Sequence, residues 1–286
     1  MSEIPPYVNL NGAIVPAAEA RVSIFDHGLL YGDGLFETLR VNGGRFFRLD
    51  AHLARLAAAA EQLALPLPWS ADFLATACRE TVAANGLAHG ALRLTVTRGE
   101  GPPVPDPAVC ASPTFFITVR ALPPPIAGVS GISACIAGEH PRWLVPGVKA
   151  TSYLPFQYAR SMARRRGCDE ALLTYGDQLI EAATGNLFVV RAGEVHTPGL
   201  ESGCLPGITR AVVLEGARSI GVTCREAPVS LQMLAEAEEI FLTNSTAGLN
   251  PVVRLADRTV GEGRPGAVTL RLRDALHRLI EQELAR

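Results

Sequence analysis

The sequence predicts an α/β (α+β) fold in two domains, a small N-terminal α/β domain over residues 1–120 and a larger C-terminal domain over residues 129–286. Strand-like and helix-like segments alternate along most of the chain. The run ALPPPIAG at 121–128 has the stiff composition of an interdomain linker. The length of 286 residues allows one large or two modest hydrophobic cores.

The N-terminal domain is expected to begin with a β-hairpin, because Asn11-Gly12 interrupts the alternating segment YVNLNGAIV. The Gly-rich stretch SIFDHGLLYGDG then leads into two strand-like segments, LFETLRV and RFFRL. Asp50 can cap a helix whose apolar residues recur at three- and four-residue spacing, namely Leu53, Leu56, Ala57, Ala60 and Leu63. A helix over 72–85 and the strands ALRLTVTRG and SPTFFITVRAL complete this domain.

The C-terminal domain is predicted to alternate strands and helices. The strand-like segments are GISACIA, EALLTY and EIFLTN, and LIEAATGNLFVVRAGEVHT is typical of a hairpin. Helices are expected near 151–166, after Pro206 and at the C-terminus.

Composition excludes several classes of function. A formal net charge of −2 and a pI near 6.3 argue against a nucleic-acid or anionic-membrane partner that binds through bulk charge. No apolar run approaches the roughly 18 residues needed to span a bilayer, and the N-terminus lacks the pattern of a secretory signal. The six cysteines show no CxxC or Cys/His spacing, so neither a metal site nor a disulfide framework is predicted. We expect a cytoplasmic protein.

Lys149 is the only lysine beside 25 arginines. It follows a Pro-Gly turn in VPGVKATSYLPF and precedes an amphipathic helix. A primary amine can lose its proton at accessible pH and form a Schiff base with an aldehyde, which a guanidinium cannot do. A solvated surface lysine is the plain alternative.

Two further features complement an amine. Glu181 is an acidic residue within an otherwise apolar strand pattern, and a buried carboxylate needs a partner such as a protonated ring nitrogen. Pro206 and Gly207 precede a strongly periodic helix, where free N–H groups and the Thr209 hydroxyl can bind a phosphate. An amine, an acid and an anion site together suit pyridoxal 5'-phosphate.

Six motifs in order carry a family resemblance: FDHGLLYGDGLFETLR, HLARL, KATSYL, EAATGNLF, LPGITR and FLTNSTAGLNPV. The ordered set resembles the class IV (fold type IV) pyridoxal-phosphate enzymes, which include branched-chain aminotransferases, D-amino-acid aminotransferases and 4-amino-4-deoxychorismate lyases. The resemblance implies a two-domain fold type IV enzyme that forms at least a homodimer, with the lysine in the larger C-terminal domain.

By the same resemblance, Lys149 forms the Schiff base and acts as general base, while Glu181 pairs with the pyridine nitrogen. Residues at the cofactor phosphate would be Arg55, Gly207, Ile208 and Thr209, and Thr246 would be a further contact with the phosphate or on the substrate side. Tyr153 resembles the tyrosine near the cofactor's phenolic oxygen, although its spacing from the lysine differs by one residue from that of many branched-chain enzymes.

Substrate residues leave two activities open. Tyr31, Phe36 and Arg93 match pocket positions of branched-chain aminotransferases, and Arg98 resembles the carboxylate-binding arginine of D-amino-acid aminotransferases. Thr38 instead resembles a threonine that moves a proton in the lyases. We favour an aminotransferase acting on a branched-chain-like or D-amino acid and a 2-keto acid, with aminodeoxychorismate lyase as the alternative. A third and remote alternative is that the basic helix at RSMARRR binds RNA or a partner protein.

Overall fold

A computed structural model describes residues 4–122, 131–141 and 145–285. The chain forms two compact units, one of Met1–Pro124 with Val148–Tyr153 and the other of Pro125–Gly147 with Leu154–Arg286. Lys149 therefore groups with the first unit, whereas the sequence analysis assigned it to the C-terminal domain. From residue 123 onward the predicted 121–128 linker lies outside the described residues, and the predicted domain bounds stay predictions.

An antiparallel sheet forms the first unit. Its described strands are β1 (Tyr7–Leu10), β2 (Ala13–Pro16), β3 (Gly34–Asn42), β4 (Arg45–Phe46), β5 (His89–Thr97) and β6 (Thr114–Ala121). They lie in the order β2-β1-β6-β5-β3-β4. The predicted N-terminal hairpin is confirmed, since β1 pairs with β2 and both turn residues, Asn11 and Gly12, have positive φ.

Two helices cover one face of this sheet, α2 (Leu49–Gln62) and α3 (Ala71–Ala84), and a short helix α1 spans His27–Leu30. Apolar residues of both long helices pack with those of β3, β5 and β6 in one core. The helix expected over 72–85 is α3, capped by the Ser70 hydroxyl. The predicted Asp50 cap is wrong. The N-cap of α2 is Arg48, held in the left-handed region without a side-chain cap, and Asp50 lies in the first turn, where its charge favours the helix dipole.

A mixed sheet forms the second unit. Its described strands are β7 (Ile132–Glu139), β8 (Glu170–Tyr175), β9 (Gln178–Ala182), β10 (Asn186–Arg191), β11 (Glu194–Thr197), β12 (Cys224–Glu226), β13 (Val229–Ser230), β14 (Glu239–Asn244), β15 (Gly248–Leu255) and β16 (Arg258–Thr259). The order is β12-β11-β10-β14-β15-β7-β8-β9-β13, with β16 paired to β15. β7 is parallel to both neighbours, and most other pairs are antiparallel.

The helices of this unit are α4 (Leu154–Arg165), α5 (Ile208–Ser219), α6 (Leu231–Ala235) and α7 (Ala267–Leu284). α5 packs against α7, where Gly216 lies beside Ala275. α4 begins later than the predicted 151, because the residues before it are held by the first unit. None of the helices in the described part of the chain has the length and apolarity needed to cross a membrane.

A carboxylate from a neighbouring strand caps α7. Gly266 precedes the helix without a capping side chain, and Glu239 of β14 accepts hydrogen bonds from the N–H groups of Val268 (3.1 Å) and Thr269 (2.7 Å). We expect Glu239→Ala to lower the free energy of unfolding by about 1–2 kcal/mol, the usual cost of a lost cap. Guanidinium denaturation of the apoprotein measures this. Glu262→Ala is the control, since that side chain is exposed and should change stability by less than about 0.5 kcal/mol.

Candidate active site

The backbone around Lys149 is fixed against the first residues of β3. The carbonyl of Lys149 accepts a hydrogen bond from the Phe36 N–H at 3.0 Å, and Thr151 donates its N–H to Gly34 O at 2.8 Å. The Thr151 hydroxyl adds a bond to Gly32 O at 2.8 Å. Residues 149–151 thus extend the sheet edge at the start of β3, and the direction of the lysine side chain follows from this pairing.

The Lys149 amine lies among aromatic rings. Its Nζ is 4.3 Å from the centre of the Phe36 ring and 5.6 Å from that of Tyr153. The two rings meet edge to face with centroids 5.5 Å apart. The structure thus brings together Phe36, Lys149 and Tyr153, three of the residues that the sequence analysis selected.

Arg93 shares this cluster. Its guanidinium lies 3.6 Å from the centre of the Phe36 ring, and its Nε donates to the Thr95 hydroxyl at 3.2 Å. Burial lowers the pKa of Arg93 below its usual value, an effect that Tyr153 opposes, and the group stays cationic at neutral pH. Among the described residues, no carboxylate forms an ion pair with Arg93. A half-buried cation of this kind suits the carboxylate of a bound molecule.

Arg55, the predicted phosphate residue, belongs to a buried network that the sequence analysis missed. Its Nε and one Nη donate to the two carboxylate oxygens of Glu37 at 2.8 and 2.6 Å. His52 Nδ1 contacts the same carboxylate at 2.7 Å. Glu37 is only 1% exposed, so its ionised form depends on these partners. The network fixes the orientation of Arg55; its phosphate contact stays a prediction.

Glu37 is expected to make stability strongly dependent on acid pH. Burial would raise the pKa of Glu37, but hydrogen bonds from His52 and Arg55 outweigh it and lower the pKa from 4.5 to about 2. A lowered folded-state pKa adds stability that is complete above pH 4.5 and is lost as pH falls through about 2. The shift corresponds to stability on the order of 3 kcal/mol.

Glu37→Gln should remove this pH-dependent increment and cost about 3–5 kcal/mol at pH 7, because it leaves Arg55 without its carboxylate. Chemical denaturation between about pH 2 and 7 measures both effects. Glu61→Gln is the matched control, an exposed carboxylate on the helix that carries Arg55, and should change stability by less than about 0.5 kcal/mol. Parallel pH profiles for the Glu37 variant and the unmodified protein would contradict the assignment.

The two other predicted substrate residues, Tyr31 and Arg98, and the predicted catalytic residue Thr38 occupy different settings. Tyr31 ends α1, is 42% exposed and packs edge to face on the His27 ring. Thr38 lies opposite Arg93 in the β3–β5 register. Arg98 is buried, and its three guanidinium nitrogens bond to Asp33 and to the carbonyls of Leu63 and Ala64. The predicted substrate contact of Arg98 would require these bonds to be exchanged, and this role stays a prediction.

Glu181 lies on β9 in the second unit and is 6% exposed. Its Oε1 is 2.8 Å from His140 Nε2, and its Oε2 accepts from the Leu205 N–H at 3.1 Å. His140 is itself buried, packs edge to face on Phe156, and has no hydrogen-bond partner at Nδ1 among the described residues. The carboxylate is thereby held in a fixed direction by two donors. The sequence indicated that Glu181 needs a partner, but it did not show that His140 is that partner.

The first turn of α5 has the properties of an anion site. Gly207 is the N-cap of α5 and has no side chain that could cap the helix. The N–H groups of Ile208 and Thr209 in the first turn therefore donate no hydrogen bond to a capping side chain. Thr209 is buried, and Arg210 in the same turn has a buried Nε without a hydrogen-bond partner in the described part of the chain. One Nη of Arg210 already donates to Glu226 (2.8 Å) and to the Pro198 carbonyl (2.9 Å). The N–H groups at the start of α5 are therefore the donors that best fit a phosphate group.

Thr246 lies in the turn after β14. Asn244 Oδ1 accepts hydrogen bonds from the Thr246 N–H (3.1 Å), the Thr246 hydroxyl (3.0 Å) and the Ala247 N–H (2.8 Å). Asn244, which the sequence analysis did not select, therefore fixes this turn.

The sequence matches the Amino-transferase class IV family over residues 34–255, most of the chain. The chain belongs to the class IV aminotransferases. The match includes Lys149, Glu181, the start of α5 and the turn at Thr246. The predictions of fold type and of aminotransferase activity are confirmed, and the lyase is not favoured.

Similar proteins within the class IV family include both branched-chain and D-amino-acid enzymes. A protein of Methanocaldococcus jannaschii, provisionally named a branched-chain-amino-acid aminotransferase, is 35% identical over 93% of this chain and 94% of its own. The D-alanine aminotransferase of Bacillus licheniformis is 31% identical over 98% and 99%. The solved structure of the branched-chain amino acid aminotransferase from Escherichia coli has a TM-score of 0.89 at 30% identity and covers 96% and 94%.

Class IV aminotransferases are pyridoxal-phosphate enzymes, and the residues of this chain fit that group. The start of α5 has no side-chain cap, and the buried Nε of Arg210 in its first turn has no hydrogen-bond partner among the described residues, although the guanidinium is ion-paired with Glu226. Uncapped N–H groups of this kind suit a phosphate. The buried Glu181 carboxylate, held by two donors, suits a cationic ring nitrogen. Lys149 is the only lysine of the chain and carries the side-chain amine that an aldehyde group requires.

Proposed function

We propose that this aminotransferase moves an amino group between a branched-chain-like or D-amino acid and a 2-keto acid with pyridoxal 5'-phosphate attached to Lys149. The observation that carries the proposal is the one lysine of the chain. Its backbone is paired with β3, its amine lies beside the Phe36 and Tyr153 rings, and the Phe36 ring also contacts Arg93. When bound, pyridoxal phosphate supplies an aldehyde that takes up the amino group and a ring that accepts the electron pair released at the substrate Cα.

Lys149 would act first as the covalent attachment point and then as general base. When a substrate amine has replaced it, the Nζ of Lys149 would be free to take the proton from the substrate Cα and to deliver it to the former aldehyde carbon of the cofactor. The Phe36 and Tyr153 rings lie beside this amine, with their centres 4.3 and 5.6 Å from Nζ, and would keep it in place once it is free.

Glu181 and the start of α5 would hold the cofactor at two other points. Glu181 would keep a proton at the pyridine nitrogen, with His140 and Leu205 fixing the carboxylate. The N–H groups of Ile208 and Thr209 would bind the phosphate, and the sequence resemblance adds Arg55 and Thr246 as expected contacts.

Arg93 is the residue that we assign to a substrate carboxylate. It is a cation stacked on Phe36 with no carboxylate partner in the described parts of the chain. Phe36 and Tyr31 would supply apolar contact for the rest of the substrate. Thr38 lies on the same strand face as Phe36, so its hydroxyl is the position at which the lyase alternative would be tested.

Assay of the holoenzyme with a donor panel tests the proposal. Leucine, valine and both enantiomers of alanine are each incubated with 2-oxoglutarate, and glutamate formation is followed. We expect transfer from leucine or from D-alanine. A separate incubation with aminodeoxychorismate is the counter-test, and release of 4-aminobenzoate without amino transfer would overturn the proposal. The homodimer and the cytoplasmic location stay predictions.

A further inference from the structure

Asn186 is a buried residue to which the proposed chemistry gives no task. It begins β10, is 3% exposed, and lies opposite Thr243 in the β10–β14 register. The turn before it is closed by paired hydrogen bonds between Ala182 and Gly185. Asn186 is therefore held rigidly and close in sequence to Glu181. A buried amide must place its donors and acceptor usefully.

The amide of Asn186 bonds to the segment that leads into α5. Its Nδ2 donates to the carbonyl of Leu205 at 2.8 Å, and the same carbonyl accepts from the Gly207 N–H at 2.8 Å. The N–H of Leu205 donates to Glu181 Oε2 at 3.1 Å. Leu205 is therefore held through both of its backbone polar groups by side chains of the 181–186 segment.

The other end of the Asn186 amide packs on Gly207. A Cβ atom added to Gly207 would lie 2.0 Å from Asn186 Oδ1, which is closer than any real contact. Gly207 has φ −66° and ψ 132°, values that any residue can adopt. Glycine is thus required here by the approach of Asn186 and not by backbone conformation. Gly207 is also the residue whose geometry aims the first N–H groups of α5.

We infer that Asn186 is a positioning residue: it fixes the Leu205–Gly207 turn and so sets the α5 N–H groups at the distance and direction that the cofactor phosphate requires. The inference rests on the proposed function, in which α5 binds that phosphate. The same turn is also hydrogen-bonded to Glu181 through the Leu205 N–H. The proposed sites for the ring nitrogen and for the phosphate are therefore held by one backbone segment. N–H donors bind anions well only when they are held in place.

The test separates phosphate binding from general cofactor binding. Apoprotein is titrated with pyridoxal phosphate and with pyridoxal, which lacks the phosphate, and inorganic phosphate is used as a competitor. For Asn186→Ala we expect affinity for pyridoxal phosphate and for inorganic phosphate to fall together by about 10-fold or more, as one lost orienting hydrogen bond implies. Pyridoxal affinity should change by less than about 3-fold.

Two further variants keep the test decisive. Gly207→Ala places a methyl group against Asn186 without removing a polar group, so it should also lower the affinity for pyridoxal phosphate relative to pyridoxal. This loss of relative affinity should be smaller in the Asn186→Ala background, because the amide that the methyl group meets is gone. Ser133→Ala is the matched control. It removes a hydrogen bond from a buried hydroxyl to Asp169 in the same unit and should leave the affinity for pyridoxal phosphate relative to pyridoxal unchanged.

The possible outcomes distinguish a failure of the role inferred for Asn186 from a failure of the proposed phosphate site at α5. The inference alone would be overturned if Asn186→Ala lowered the affinities for pyridoxal phosphate and pyridoxal equally. It would also be overturned if the ratio of these two affinities stayed unchanged in both Asn186→Ala and Gly207→Ala. An unmodified chain that binds pyridoxal phosphate no more tightly than pyridoxal would overturn the proposed phosphate site, and this inference with it.

Discussion

Replacing Lys149 by arginine is expected to abolish amino transfer and covalent attachment of the cofactor. Arginine keeps the positive charge and can still lie over the Phe36 ring, where Nζ is 4.3 Å from the ring centre. It cannot lose its proton at accessible pH, so both the attachment and the general base are lost. The loss of a general base alone lowers turnover by about 10²–10⁴-fold, and loss of attachment adds to it.

The measurements are turnover with the best donor of the panel, visible absorbance, and mass spectrometry after borohydride reduction. Because the chain contains one lysine, reduced cofactor on the unmodified protein can be attached to a side-chain amine at Lys149 alone. Arg165→Lys is the matched control, since it introduces an amine at an exposed position of α4. In the Lys149→Arg background it should restore neither activity nor labelling. Turnover within about 10-fold of the unmodified enzyme in Lys149→Arg would exclude the lysine as base.

Local patterns predicted much of the fold. The Asn11-Gly12 turn and the helix predicted over 72–85 both depend on neighbours in sequence, and both agree closely with the structure. Asp50 shows where local reasoning fails. It is a good capping residue, but the chain before it places Arg48 in the left-handed region, and α2 therefore starts at Leu49, ahead of the position that an Asp50 cap requires.

The sequence shows that Glu37 needs a cationic partner, but it does not show which residues supply it. Glu37 shares the strand face of Leu35 and Leu39, which places a carboxylate toward the core and requires a cation there. His52 and Arg55 lie three residues apart on the following helix, a spacing that puts them on one face. Nothing in the sequence alone decides that these residues meet, because the choice depends on how the helix packs on the sheet.

The partners of Glu181 are harder to predict. His140 lies 41 residues earlier in the chain and Leu205 24 residues later, on segments that no local pattern connects. Only the strand order β7-β8-β9 brings the end of β7 beside Glu181. A motif identifies the carboxylate, and the fold supplies the donors that orient it.

Replacing Glu181 by glutamine is expected to lower kcat by about 10²–10⁴-fold while leaving the chain folded, the range found when a group that controls a proton is removed. Glutamine has nearly the same shape and can still accept the Leu205 N–H bond that Glu181 accepts at 3.1 Å. It carries no charge, so the pyridine nitrogen would no longer be held protonated and the ring would accept electrons less readily. The measurements are kcat with the best donor and the visible absorbance of the holoenzyme between about pH 5 and 9.

Glu170→Gln is the matched control for Glu181→Gln. Glu170 is also a buried carboxylate in the second unit, and it bonds to the Thr184 hydroxyl and to the Ala171 N–H. Loss of that charge should lower stability, because a buried hydrogen-bonded group is disturbed, but kcat should stay within about 10-fold of the unmodified enzyme. If Glu181→Gln and Glu170→Gln lower kcat equally, or if the absorbance of Glu181→Gln titrates as in the unmodified enzyme, Glu181 is a structural carboxylate and the proton at the ring nitrogen has another source.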